Sequence, residues 1–133
     1  MSYRVEHTDD EWLVILGKDR FRVLRGDGTE PSFKNAYWDE HREGIYRCGG
    51  CSAVLFDAGD KYDSGTGWPS FARPVSPEVI EWRPDNTAGM IRTEAICANC
   101  GGHLGHVFHD GPPSTGLRYC MNSLALLFEP REG

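Results

Sequence analysis

The order of apolar and polar positions divides the chain into a short helical beginning, an aperiodic stretch and a longer region of β type. Thr8 with Glu11 three residues on has the form of a capping box, and Trp12, Leu13, Ile15 and Leu16 supply an apolar side before Gly17 ends the helix. Asp19 is placed to cap a second short helix through Phe21, Val23 and Leu24, which the Gly26-Asp27-Gly28 turn stops. The two helices are expected to cover one side of a sheet. Residues 29–44, with Pro31, Asn35 and the polar run Trp38-Asp39-Glu40-His41, keep neither a helical nor a strand period and read as an extended loop. From Gly44 onward come short β-type runs separated by glycines: Ile45-Tyr46-Arg47, Ala53 to Phe56, Val79 to Trp82, Met90 to Thr93 and Leu124 to Phe128. The fold class predicted is mainly β, with antiparallel sheets and short N-terminal helices.

Composition narrows the function more than the fold. A chain of 133 residues suits one domain, 1–133, large enough to bury a core without disulfide staples. Its formal net charge of −6 argues against nucleic acid as a partner, because phosphate binding is driven by Lys and Arg. The opening turns acidic at once and no apolar run approaches membrane-spanning length, so no membrane association and a cytoplasmic location are expected. Five cysteines, an odd number containing two C-x-x-C pairs, point in such a compartment to metal binding plus a reactive thiol.

Cys48-Gly49-Gly50-Cys51 and Cys97-Ala98-Asn99-Cys100 each offer two thiolates from a tight turn. Together they form a four-cysteine site for one zinc ion, although the stretch between Cys51 and Cys97 is longer than in a compact zinc ribbon. Such a metal joins distant strands, and its role is structural, since four thiolates leave no open coordination position. Redox dithiols or unpaired core cysteines are the alternatives.

Cys120 is the cysteine left over. If Leu117 to Phe128 is one strand, a period of two puts Arg118, Cys120 and Asn122 on a common face. A guanidinium beside a thiol favours the thiolate, and Asn122 is placed to fix substrate or water. His103 and His106 precede the Asp110-Gly111-Pro112-Pro113 turn, which can fold them back as general-acid candidates, with Asp110 orienting one imidazole. Each feature also has a plainer reading. A lone strand cysteine is commonly a small buried hydrophobe, the spacing of His103, His106 and His109 suits polar loop residues better than a second metal site, and Trp68 and Phe71 in the Gly-rich loop 61–71, a candidate binding loop, have the residue type of core aromatics. On residue chemistry alone the chain is a zinc-stabilised β domain with a candidate thiol site.

The strings Tyr46-Arg47-Cys48, Lys61-Tyr62-Asp63-Ser64-Gly65-Thr66-Gly67-Trp68-Pro69-Ser70-Phe71, His103-Leu104-Gly105-His106-Val107-Phe108, Asp110-Gly111-Pro112 and Gly116 to Ser123 together resemble the type B methionine sulfoxide reductases, which reduce the R epimer of methionine sulfoxide. The resemblance covers most of the chain. It implies attack of the Cys120 thiolate on the sulfoxide sulfur, with His103 as proton donor, leaving Cys120 as a sulfenic acid. It further implies that Arg118 lowers the thiol pKa, that His106, Asp110 and Asn122 hold the polar network, and that Trp68 and Phe108 receive the substrate methyl group. The implied biology is protein repair under oxidative stress, with zinc remote from the active cysteine.

One departure from the family pattern carries information. Many members place a resolving cysteine in the loop before Gly-Trp-Pro-Ser-Phe, where this chain has Thr66. With four cysteines on zinc, the sulfenic acid is expected to be reduced by an external thiol such as thioredoxin, glutaredoxin or glutathione. Two competing functions remain at this level, a zinc-ribbon-like binding module with an inert Cys120 and a thiol peroxidase.

Overall fold

The computed structural model describes residues 3–86 and 91–131. Helix α1, Asp9–Leu16, starts where the capping box predicts: Thr8 accepts from the Glu11 amide, the Glu11 side chain accepts from the Thr8 amide, and Gly17 closes the helix. The apolar side is narrower than expected. Trp12 is buried, whereas Leu13, Val14 and Ile15 are exposed. Helix α2, Lys18–Leu24, is capped by Gly17, so Asp19 lies in its first turn and is not its cap. It packs against one strand and a short 3-10 turn at Ser123–Ala125, so the helical pair does cover one side of the β region.

Among the described residues nine strands follow: β1 Gly44–Cys48, β2 Val54–Asp57, β3 Lys61–Tyr62, β4 Ser70–Phe71, β5 Ile80–Asp85, β6 Arg92–Cys97, β7 His103–Phe108, β8 Arg118–Met121 and β9 Leu126–Pro130. They form a three-stranded sheet in the order β2-β1-β9 and a six-stranded sheet in the order β3-β4-β8-β7-β6-β5, with antiparallel pairing throughout. The mainly β, antiparallel class is the one the apolar runs predict. Residues 29–43 stay outside helices and strands, again as predicted.

Three local expectations change. The run from Leu117 to Phe128 is two strands, because the chain turns through a 3-10 segment after Asn122 and β9 joins the other sheet. The histidine run, which carried no strand prediction, is β7, with α2 lying against it. The predicted Met90 to Thr93 strand begins at Arg92 within the described residues, and Met90 lies outside them.

Aromatic rings close the two sheets on each other. Phe56 of β2 stacks on Phe71 of β4 with centroids 4.2 Å apart, and Tyr46 of β1 meets Phe71 edge-on at 5.0 Å. All three are buried. Phe71 is therefore a core aromatic, in keeping with its residue type, and its truncation to alanine is expected to cost about 3–5 kcal/mol.

Candidate active site

The six-stranded sheet sets the geometry of the site. β8 exposes alternate residues, so Arg118 and Cys120 face one way while Tyr119 and Met121 enter the core. On its two sides β8 pairs with β4 and β7, placing Ser70 and His106 each directly across from Cys120. Gly105 permits this approach: a Cβ there would meet the Cys120 carbonyl oxygen at 2.0 Å. A larger residue would push β7 away and move His106 with it.

Cys120 opens into a cleft of about 590 Å³, water at its mouth included, which Thr66, Trp68, Arg92, His106, Phe108, Arg118 and Asn122 also line. Burial pushes the Cys120 thiol above its ordinary pKa, while the Arg118 charge pulls the other way. The guanidinium thus acts in the expected direction, yet desolvation outweighs it. Arg118 also lies over the Phe108 ring at 4.3 Å, so that face of Phe108 is already covered.

Asp110 orients the guanidinium and not an imidazole. Arg118 donates from Nε and Nη2 to the two Asp110 oxygens at 2.9 and 3.2 Å, and this holds the carboxyl below its usual pKa. The imidazoles have partners that sequence reasoning missed. His106 Nε2 meets Asp85 Oδ2 at 2.8 Å, and His103 Nδ1 meets Glu94 Oε2 at 2.6 Å. Burial lowers the His106 pKa, with Asp85 acting against it. The two rings sit edge to face at 5.5 Å. His106 reaches the Cys120 cleft, whereas His103 is buried beside it and lines a neighbouring hollow with Asp27 and Glu94. His109 is exposed and lines neither of these two cavities.

Asn122 spends its amide on the scaffold. Its Oδ1 accepts from the Glu30 amide at 3.0 Å and its Nδ2 donates to the Leu104 carbonyl at 3.3 Å. The Trp68 indole donates to the Glu30 carbonyl at 2.8 Å, which fixes the ring as a wall of the cleft. Glu30, Asp85 and Glu94 lie outside any motif, and Glu94 follows Arg92 and Thr93 in β6, so nothing in the local pattern singles it out.

The four remaining cysteines gather where the sheets meet. Cys48 ends β1 and Cys97 ends β6, and the two turns bring Cys51 and Cys100 to them. Their sulfurs all lie within 4.8 Å of one another, with Cys48–Cys100 and Cys51–Cys97 each at 3.7 Å. That is far beyond a disulfide bond, but a tetrahedron with ~2.3 Å metal–sulfur bonds has edges of about 3.8 Å. The donor set therefore fits a tetrahedral thiophilic ion. Trp12 packs on the Cys48–Cys51 turn, and Arg25 lies over its ring at 4.9 Å while donating to the Cys100 carbonyl.

Comparison with known proteins agrees with this arrangement. The SelR domain matches residues 16–130. The chain is 51% identical over 132 residues to a peptide methionine sulfoxide reductase MsrB of Thiobacillus denitrificans, covering 99% of this chain and all of that protein. Identity is 49% over 129 residues to the MsrB of Agrobacterium fabrum, with 97% and 96% covered, and 50% over 129 residues to that of Acinetobacter baumannii, with 97% and 93% covered. With half its residues shared along nearly the full length of each of these proteins, and a SelR domain across most of the chain, it belongs to the MsrB family of peptide methionine sulfoxide reductases.

Proposed function

We propose that the protein reduces methionine-R-sulfoxide, in peptides or proteins, to methionine, with Cys120 as nucleophile and an external thiol as the final reductant. The observation that carries this reading is the setting of Cys120: the cysteine outside the four-sulfur cluster opens into a cleft with an indole wall, a guanidinium and an imidazole.

Trp68 receives the substrate methyl group beside the covered Phe108 ring. The Cys120 thiolate, favoured by Arg118, attacks the sulfoxide sulfur while the sulfoxide oxygen takes a proton from the imidazole pair, His106 being the member that lines the cleft. The sulfur–oxygen bond of the substrate breaks, methionine leaves, and the oxygen remains on Cys120 as sulfenic acid. Two equivalents of an external thiol then restore the Cys120 thiol, giving one disulfide and one water. Thr66, also at the cleft, has no sulfur to do this within the chain. Cys48, Cys51, Cys97 and Cys100 hold one zinc ion, which supplies a cross-link between the sheets.

The test is turnover of the separate R and S epimers with thioredoxin, glutaredoxin or glutathione as donor. Reduction confined to the R epimer supports the substrate reading, and turnover of the S epimer alone would overturn it. Mass spectrometry after one turnover without reductant decides the recycling: a Cys120 sulfenic acid is expected, whereas an intramolecular disulfide containing Cys120 refutes the external-thiol route.

A further inference from the structure

Phe33 is held where neither burial nor backbone preference would put it. Its φ is +61°, in the left-handed region that bulky residues avoid, and its side chain is 52% exposed. The surrounding segment is nevertheless anchored. The Phe33 amide donates to the Gly67 carbonyl at 2.8 Å, Asn35 Nδ2 donates to the same carbonyl at 2.9 Å, and Ser123 donates to Asn35 Oδ1 at 2.6 Å. This conformation places the ring directly on Gly67, where a Cβ would meet Phe33 Cδ2 at 2.6 Å. Gly67, itself at φ +86°, joins Thr66 to Trp68, two walls of the Cys120 cleft.

The apolar surface therefore continues outward from the cleft. Trp68 forms its wall, Phe33 covers the adjoining backbone, and Trp38 meets Phe33 edge-on at 5.0 Å. Beyond Trp38 the surface becomes polar, in a depression also lined by Glu40, Lys61 and Asp63. A free amino acid in the cleft leaves this platform uncovered. A polypeptide carrying the oxidised methionine has neighbouring residues that extend over it.

We propose that Phe33, supported by Trp38, docks an apolar residue flanking the oxidised methionine of a peptide substrate. This rests on the reductase reading above and names a specificity-determining residue within it. Loss of one such aromatic contact changes specificity by about three- to tenfold.

The experiment compares free methionine-R-sulfoxide with a blocked peptide carrying methionine sulfoxide next to leucine, both with dithiothreitol as reductant. Phe33→Gly removes the ring and suits the left-handed backbone, so folding is retained. It is expected to lower kcat/KM for the peptide about three- to tenfold, mostly through KM, and to leave the free amino acid unchanged; Phe33→Tyr is expected to keep the wild-type peptide value. An equal loss on both substrates would show that Phe33 only braces the cleft, and no loss on either would remove its role; both overturn the docking. Wild-type protein that reduces neither substrate is a separate outcome and overturns the reductase reading together with this one.

Discussion

Cys48, Cys51, Cys97 and Cys100 face one another at the meeting of two sheets, under Trp12 of α1. Cys120 lies outside that cluster and has a guanidinium, an imidazole and an indole around its cleft. The functional group is the same and the surroundings differ. Four thiolates gathered within 4.8 Å repel each other and need a cation at their centre. Cys120 stands alone beside a guanidinium that Asp110 already pairs, and burial holds its thiol above the ordinary pKa, so it needs no cation at its centre and its sulfur stays open to the cleft. Mutual proximity thus suits sulfur to cross-linking, and separation beside a cation suits it to attack.

The sharpest way to break this contrast is Cys120→Ser. Sulfoxide turnover is expected to fall at least about a thousandfold, while zinc content and the thermal midpoint stay at wild-type values. Residual turnover near wild type would end the assignment of Cys120. The reciprocal change, Cys97→Ser, is expected to remove zinc and lower the thermal midpoint by more than about 10 °C, read by calorimetry alongside metal analysis.

Arg118→Ala tests the charge balance itself. Burial already holds the Cys120 thiol above its ordinary pKa, so alkylation by iodoacetamide should rise with pH through a range above that of a free thiol. Removing the guanidinium takes away the opposing influence and should move the profile to higher pH and slow alkylation near neutrality. A profile that stays in place would show that Arg118 does not govern the thiol. The smallest effect belongs to Thr8→Ala, which removes the α1 cap at a cost of about 1 kcal/mol in urea unfolding. It is expected to quicken zinc loss to a chelator through Trp12 without changing Cys120 alkylation.

What the sequence made legible was local. The Thr8–Glu11 cap, the two C-x-x-C turns and the alternation at Arg118 and Cys120 each depend on residues a few positions apart, so their geometry follows from the chain's own repeat. The polar partners of the histidines are settled by pairing across the sheet. Glu94 faces His106 in register with β7 yet bonds His103, because the register shifts between Ala95 and Ile96. Spacing along the chain contains no trace of that shift. Asp110 was misassigned for a related reason: eight positions separate it from Arg118, and only the closed loop between β7 and β8 puts their side chains together. Strands β3 and β4, two residues each, are too short to show a period.

Glu30 gives the aperiodic segment before β1 a significance its lack of pattern hides. Its amide, carbonyl and carboxylate engage Asn122, Trp68 and the Leu124 amide, which tie it both to the Trp68 loop and to the segment just after β8. The segment works as a jig that aims the indole, whereas the thiol is aimed by the sheet. The indole wall and the thiol of the cleft consequently have different mechanical supports. On the proposed reading of the cleft, residues 29–37 are the place where an engineer would begin to alter what it accepts, since the strand pairing around Cys120 does not run through them.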